Sequence, residues 1–251
     1  MVGAGVDLAL EEGIGTGADH LTFKRVFERL EESTGVRVTN ASVIGRVWDS
    51  VDDYRRDVLA ALAAHDEGAL LESIMGEFID LFASFDRSTP EARHASLAQA
   101  VRVGCQLSQR VLAESTTWRI QIGVWALAMT GFESSQLGPI RQAVAAAYAT
   151  TTATTASNNR TIADYLGFRP RGPATIEQFS LAADALGEGF ALRLATGIHE
   201  SEPVLLPTGP GGAEEEWTLY ALAVHAIIRD FLEIDPDWTP DGSRPAWMDR
   251  A

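Results

Sequence analysis

Between Thr22 and Leu62 the chain allows little besides three short helices separated by tight stops. The segment FKRVFERLEEST sets Phe23, Val26, Phe27 and Leu30 at i, i+3, i+4 and i+7, one apolar stripe of a helix. It ends at Thr34-Gly35, where glycine can take the left-handed geometry that closes a helix. Val36-Arg37-Val38 then bends toward Thr39 or Asn40, either of which can cap a second helix by accepting a bond from an unpaired backbone N–H. That second helix is predicted over Asn40–Trp48, burying Ile44, Val47 and Trp48 and leaving Asn40, Ser42 and Arg46 available for other contacts. Asp49-Ser50 stops it and starts a third, VDDYRRDVLAAL, with Tyr54, Val58 and Leu62 on one side.

Two helices, a glycine-bearing turn and a second helix with a polar, capped front end describe a helix-turn-helix. The bare motif also occurs in proteins that never touch DNA, so its flanks matter. Gly35-Val36 closes the first motif helix, Thr39-Asn40 caps the second, Trp48 ends it, and Asp49–Leu59 follows at once as an amphipathic helix. In these features the stretch resembles the tetracycline-repressor family of bacterial transcriptional regulators. The C-terminal half is similar to the ligand-binding half of that family. There a long helix ends in the loop Gly167-Phe168-Arg169-Pro170, an apolar helix follows with Glu188-Gly189-Phe190-Ala191-Leu192-Arg193, and a last amphipathic helix comes after a long loop. The resemblance runs from about Val2 to Ile234. Two positions depart from it: Gly45 and Val51 stand where family members carry a phosphate-contacting tyrosine and lysine.

The rest of the chain keeps a helical period. VGAGVDLALEEGIG, residues 2–15, is a short first helix weakened by its glycines, and 16–20 is a loop. Leu59–Phe85 stays helical with a break near His65–Gly68, and Leu71, Ile74, Phe78, Leu81, Phe82 and Phe85 form a wide apolar face. Ser88-Thr89-Pro90-Glu91 restarts a helix to about Leu112. Thr116–Thr130 is apolar nearly all round and therefore central to a core. Gly138-Pro139 begins a long helix to about Leu166, through the threonine-rich run TTTATTASNN. A loop over 167–173, a helix over 175–195, a Pro- and Gly-rich loop over 199–213 and a helix over 214–234 complete the pattern. The predicted fold is all-α. It has a helix-turn-helix DNA-binding domain at 1–62, a helical ligand-binding and dimerisation domain at 63–234, and a loosely held tail at 235–251.

Chemistry assigns the candidate readers. Asparagine pairs with adenine and arginine with guanine in two-bond geometry, which points to Asn40 and Arg46. Thr39 and Ser42 offer hydroxyls to phosphate, with Arg37 and Lys24 as further phosphate contacts. Against this stands the charge. The chain carries a net −15, and residues 1–60 hold seven basic against eleven acidic side chains, a net −4. Phosphate neutralisation supplies most DNA affinity, so tight non-specific binding is not expected.

The resemblance implies three further features: a homodimer on double-stranded operator DNA, a small apolar effector held among the central helices, and ligand binding that alters DNA affinity. The aromatics Trp118, Trp125, Phe132 and Tyr148 are the effector candidates, although plain core packing is the more frequent role for any one of them. The apolar faces of 175–195 and 214–234 are the dimer candidates, through Phe179, Leu186, Phe190, Trp217, Tyr220, Val224 and Ile228. The expectation is thus a ligand-responsive repressor. The alternative is a helical ligand- or protein-binding module of the same architecture with weak or lost DNA binding, which the acidic head and the departures at Gly45 and Val51 favour.

Other classes find no purchase. The five histidines lack metal-ligand spacing, no catalytic carboxylate dyad or nucleophile elbow is visible, and no cofactor motif is present, so an enzyme is not expected. The single cysteine, Cys105, excludes an internal disulfide and reads as a small buried hydrophobe. No apolar run reaches the roughly 18 residues that span a bilayer, and no charged segment leads into an apolar one at the start. The expected location is the cytoplasm, away from membranes.

Overall fold

The computed structural model describes residues 1–15, 18–39, 45–65, 81–130, 137–198, 202–209 and 212–240. The chain is mostly helical and divides into two compact units, residues 1–67 with 115–150 and residues 68–114 with 151–251. The unit containing the N-terminal helices therefore also takes in 115–150.

In the first unit, α1 (Val2–Glu12) packs on α2 (Phe23–Thr34) and on α3 (Val51–Ala63), and α5 (Thr116–Thr130) joins α1 and α3. Local chemistry explains the ends. Thr22 caps α2, its side chain accepting from the Arg25 N–H, and Gly35 closes it at φ 71°, its N–H donating to the Glu31 carbonyl. Ser50 caps α3 by accepting from the Asp53 N–H. Leu21, Val26, Tyr54, Val58, Leu62 and Val124 are sealed in the shared core, with Phe23 and Trp48 beside Tyr54.

In the second unit, α4 (Pro90–Glu114), the later part of α6 (Gly138–Leu166), α7 (Ile176–Ala195) and α8 (Leu219–Phe231) enclose a core that includes Leu166, Phe168, Phe179, Trp217 and Tyr220. The threonine-rich run stays helical within α6. Along that helix the Thr150 and Thr161 hydroxyls donate back to the carbonyls of Ala146 and Ser157, so their polar groups are satisfied without leaving it. Thr175 begins α7 with a complete capping box, exchanging bonds with Gln178.

Two antiparallel pairs of three-residue strands correct the expected loops and the last helix. β1 (Phe168–Pro170) pairs with β4 (Leu232–Ile234), and β2 (Val204–Leu206) pairs with β3 (Glu215–Trp217). The helix expected over 214–234 is thus α8 alone. Thr218 caps its start, accepting from the Ala221 N–H, while the ladders draw the flanking residues into extended backbone. The tail is also held further than expected. The Asp235 N–H donates to the Gly167 carbonyl, and the Trp238 indole donates to the Asp164 carbonyl at 2.8 Å with Arg93 stacked over its ring.

Candidate nucleic-acid interface and effector site

The expected second motif helix does not run to Trp48. Gly45 has φ 74°, the left-handed region that interrupts a helix, and its N–H donates to the Trp48 carbonyl across a turn at 45–47. Val47, expected in the core, is 62% exposed. Trp48 is buried as expected, its ring edge-on to Tyr54 at 4.9 Å and its indole donating to Asp57 Oδ2 at 2.7 Å. Asn40, Ser42 and Ile44 lie outside the described residues. Thr39 and Arg46 are described and exposed, on either side of that gap, and Arg37 is exposed just after Gly35.

The charges around this connection are arranged, not scattered. Arg25 bonds Glu12 and Arg29 bonds Glu11, tying α2 to α1 at two successive turns. The Arg25 bond is the largest influence holding the Glu12 carboxyl below its usual range. Arg55 on α3 bonds Asp52 at 3.0 Å and pairs with Asp19 at 3.5 Å, and also donates to the Leu21 and Asp19 carbonyls. Arg56 bonds Asp53 at 3.0 Å, and Lys24 faces Glu28 at 3.9 Å. Arg37 and Arg46 form no ion pair among the described residues. Sequence reasoning missed this division, because the partners of Arg25 and Arg29 sit on another helix 13 and 18 residues away. The acidic doublet Glu11-Glu12 was the one available signal.

The effector candidates separate. Trp125 on α5 and Tyr148 on α6 meet edge to face at 5.5 Å, and the Trp125 Nε1 is buried with no hydrogen-bond partner. An indole N–H left so would normally find an acceptor. Trp118 is buried, and no ring contact links it to that pair among the described residues. Phe132 lies outside the described residues.

The dimer candidates need correction. Phe179, Trp217, Tyr220, Val224 and Ile228 are buried in the core of their own chain, and Leu186 and Phe190 pack against it. Their stripes are satisfied because α4, α7 and α8 bury them against one another. What α7 leaves exposed is a different line, Leu181, Ala185, Gly189 and Leu192, with Leu181 47% and Leu192 43% exposed; Leu219 opens α8 in the same state.

Among the described residues no group of three His, Cys, Asp or Glu side chains is placed to hold a metal ion, and no helix is long and apolar enough to cross a membrane. Compared with protein-family models, characterised proteins and solved structures, the chain matches none.

Proposed function

We propose that the chain is a DNA-binding transcriptional regulator, a ligand-responsive repressor acting as a homodimer. The observation that carries this reading is the division of charge in the first unit. Of the basic side chains of residues 1–60, Lys24, Arg25, Arg29, Arg55 and Arg56 pair with carboxylates there, and Arg37 and Arg46 form no ion pair among the described residues. Both lie on the connection between α2 and α3, where the resemblance puts the DNA-reading element. Glu31, Glu32 and Asp49 flank the same connection and also form no ion pair among the described residues, so the reading requires Arg37 and Arg46 to meet the phosphate backbone while those three carboxylates face away from it.

The other parts follow from the same reading. An effector lodged beside Trp125 and Tyr148 would supply the acceptor that the buried indole N–H lacks, so a ligand with an apolar body and one carbonyl or ether oxygen suits it. A second copy would cover the exposed α7 line of Leu181, Ala185, Gly189 and Leu192. The test is a gel shift with DNA from upstream of the gene, titrated with salt. Arg37→Ala and Arg46→Ala should each weaken binding and lower the salt slope by about one, whereas Lys24→Ala, which only leaves exposed Glu28 without its partner, should weaken binding slightly at low salt and leave the slope unchanged. No specific complex at low salt removes the DNA reading.

A second reading has its own support: a ligand- or protein-binding module of this architecture with weak DNA binding. The turn at 45–47 and the net −4 of residues 1–60 favour it. A dimer that binds its ligand yet gives no shift with any DNA would select it.

A further inference from the structure

On α7, Asp184 and Glu188 stand one turn apart, on the flank between the buried line Ala183, Gly187, Ala191 and the exposed line Leu181, Ala185, Leu192. The Asp184 side chain is only partly covered, yet its Oδ2 is sealed from solvent and has no hydrogen-bond partner. Facing it from α8 is Tyr220, whose hydroxyl is seated over Gly187, where an added methyl would come within 2.7 Å. That hydroxyl donates to the Cys105 sulfur on α4. From α6, Arg160 pairs with Glu177 in the first turn of α7, and no ion pair to Asp184 is present among the described residues. Among the described residues, the titratable groups that act on Asp184 are Glu188 and Tyr220, with Cys105 behind the phenol.

Burial, with the Glu188 charge second, pushes the Asp184 carboxyl up to about 7. Burial also pushes the Cys105 thiol up to about 12 and the Tyr220 phenol well above its ordinary value. Both stay neutral in ordinary buffers. Of these three groups Asp184 is the one that changes charge near neutrality, while farther along α8 burial lowers the His225 imidazole, so its titration falls on the acid side.

We propose that Asp184 is a proton-responsive joint where α4, α7 and α8 meet: the neutral carboxyl belongs to the packed junction, and its ionisation beside Glu188 loosens α7 from Tyr220. The inference stands whether or not the chain binds DNA. Its sign is fixed by linkage. The folded chain holds this proton more tightly than the unfolded one, so the stabilisation is complete at low pH and is lost as pH rises through about 7.

The experiment is urea unfolding of the full chain between pH 5 and 8.5, for the wild type, Asp184→Asn and Glu188→Gln. The wild-type folding constant should fall about tenfold to a hundredfold more across this range than that of Asp184→Asn. Glu188→Gln should move the fall toward lower pH. Parallel profiles for the wild type and Asp184→Asn overturn the proposal. Should Asp184→Asn not fold, the carboxyl carbon shift of Asp184 is read directly in the wild type by NMR. A titration midpoint near 7 supports the joint, and one near 4 overturns it.

Discussion

Tyr54 in the first unit and Tyr220 in the second are set into the molecule by one device, a phenol hydroxyl seated on a helix glycine, and they end in opposite surroundings. Tyr54 crosses from α3 to α1, lies over Gly5 and donates to the Met1 carbonyl at 3.1 Å. Its neighbours are the rings of Phe23 and Trp48, at 5.4 and 4.9 Å, and burial alone raises its phenol. Tyr220 lies over Gly187 with Phe190 at 5.7 Å, but its hydroxyl bonds a thiol and lies in the field of the Asp184 and Glu188 carboxyls. The same packing solution thus makes a seat whose phenol is shifted by burial alone in one unit and one under the influence of two carboxyls in the other. A buried polar group is inert or responsive according to what completes its hydrogen bonds, more than according to how deeply it lies.

The sharpest way to break this comparison is to fill the two seats. A methyl at Gly5 would run into the Tyr54 hydroxyl and come 2.7 Å from Val58 Cγ2, with the ring hemmed in by two other aromatics. Gly5→Ala should cost about 2–3 kcal/mol in urea unfolding, even after the roughly 1 kcal/mol that alanine returns in helix propensity. A neutral Gly5→Ala would mean that the ring yields and the seat is not rigid. Gly187→Ala meets only the hydroxyl end of Tyr220, at 2.7 Å from the oxygen and 3.1 Å from Cζ. Its expected net cost is smaller, about 1 kcal/mol. Combining it with Tyr220→Phe should recover most of that, because the colliding oxygen is gone. Equal losses at the two glycines would remove the distinction.

What the sequence discloses follows the range of the forces involved. Thr22, Gly35, Ser50 and Thr175 each act on backbone groups within a few residues, and the ends of α2, α3 and α7 fall where these residues stand. The strands escaped notice because a three-residue ladder has no period of its own. Phe168–Pro170 is extended because Leu232–Ile234, more than sixty residues on, offers it partners. The stripe on α8 was legible as apolar, but apolarity does not say whether the neighbour is the same chain or a second copy. Trp217, Tyr220 and Val224 turned out to serve their own core. In the first unit Gly45 stood out in the sequence only as a departure from the family pattern, whereas in the fold it takes a φ that stops the helix.

The smallest effect tests whether the ion pairs of the first unit are structural or electrostatic devices. Arg25 and Glu12 are 38% and 40% exposed along their side chains, Arg29 and Glu11 30% and 53%. Water and salt screen such pairs, and holding two long side chains together costs conformational freedom, so exposed pairs contribute little to stability. Arg25→Ala and Arg29→Ala should therefore leave the unfolding midpoint nearly unchanged, with whatever small loss remains disappearing at high salt. Their consequence is the local potential instead. Each substitution releases a carboxylate, Glu12 or Glu11, that now faces solvent uncompensated on α1. If Arg37 and Arg46 attract phosphate, either substitution should weaken DNA binding at low salt without touching stability. A large drop in the midpoint would instead make the α1–α2 pairs part of what holds the helices together, and would separate the first unit from the second by its joints as well as by its tyrosine.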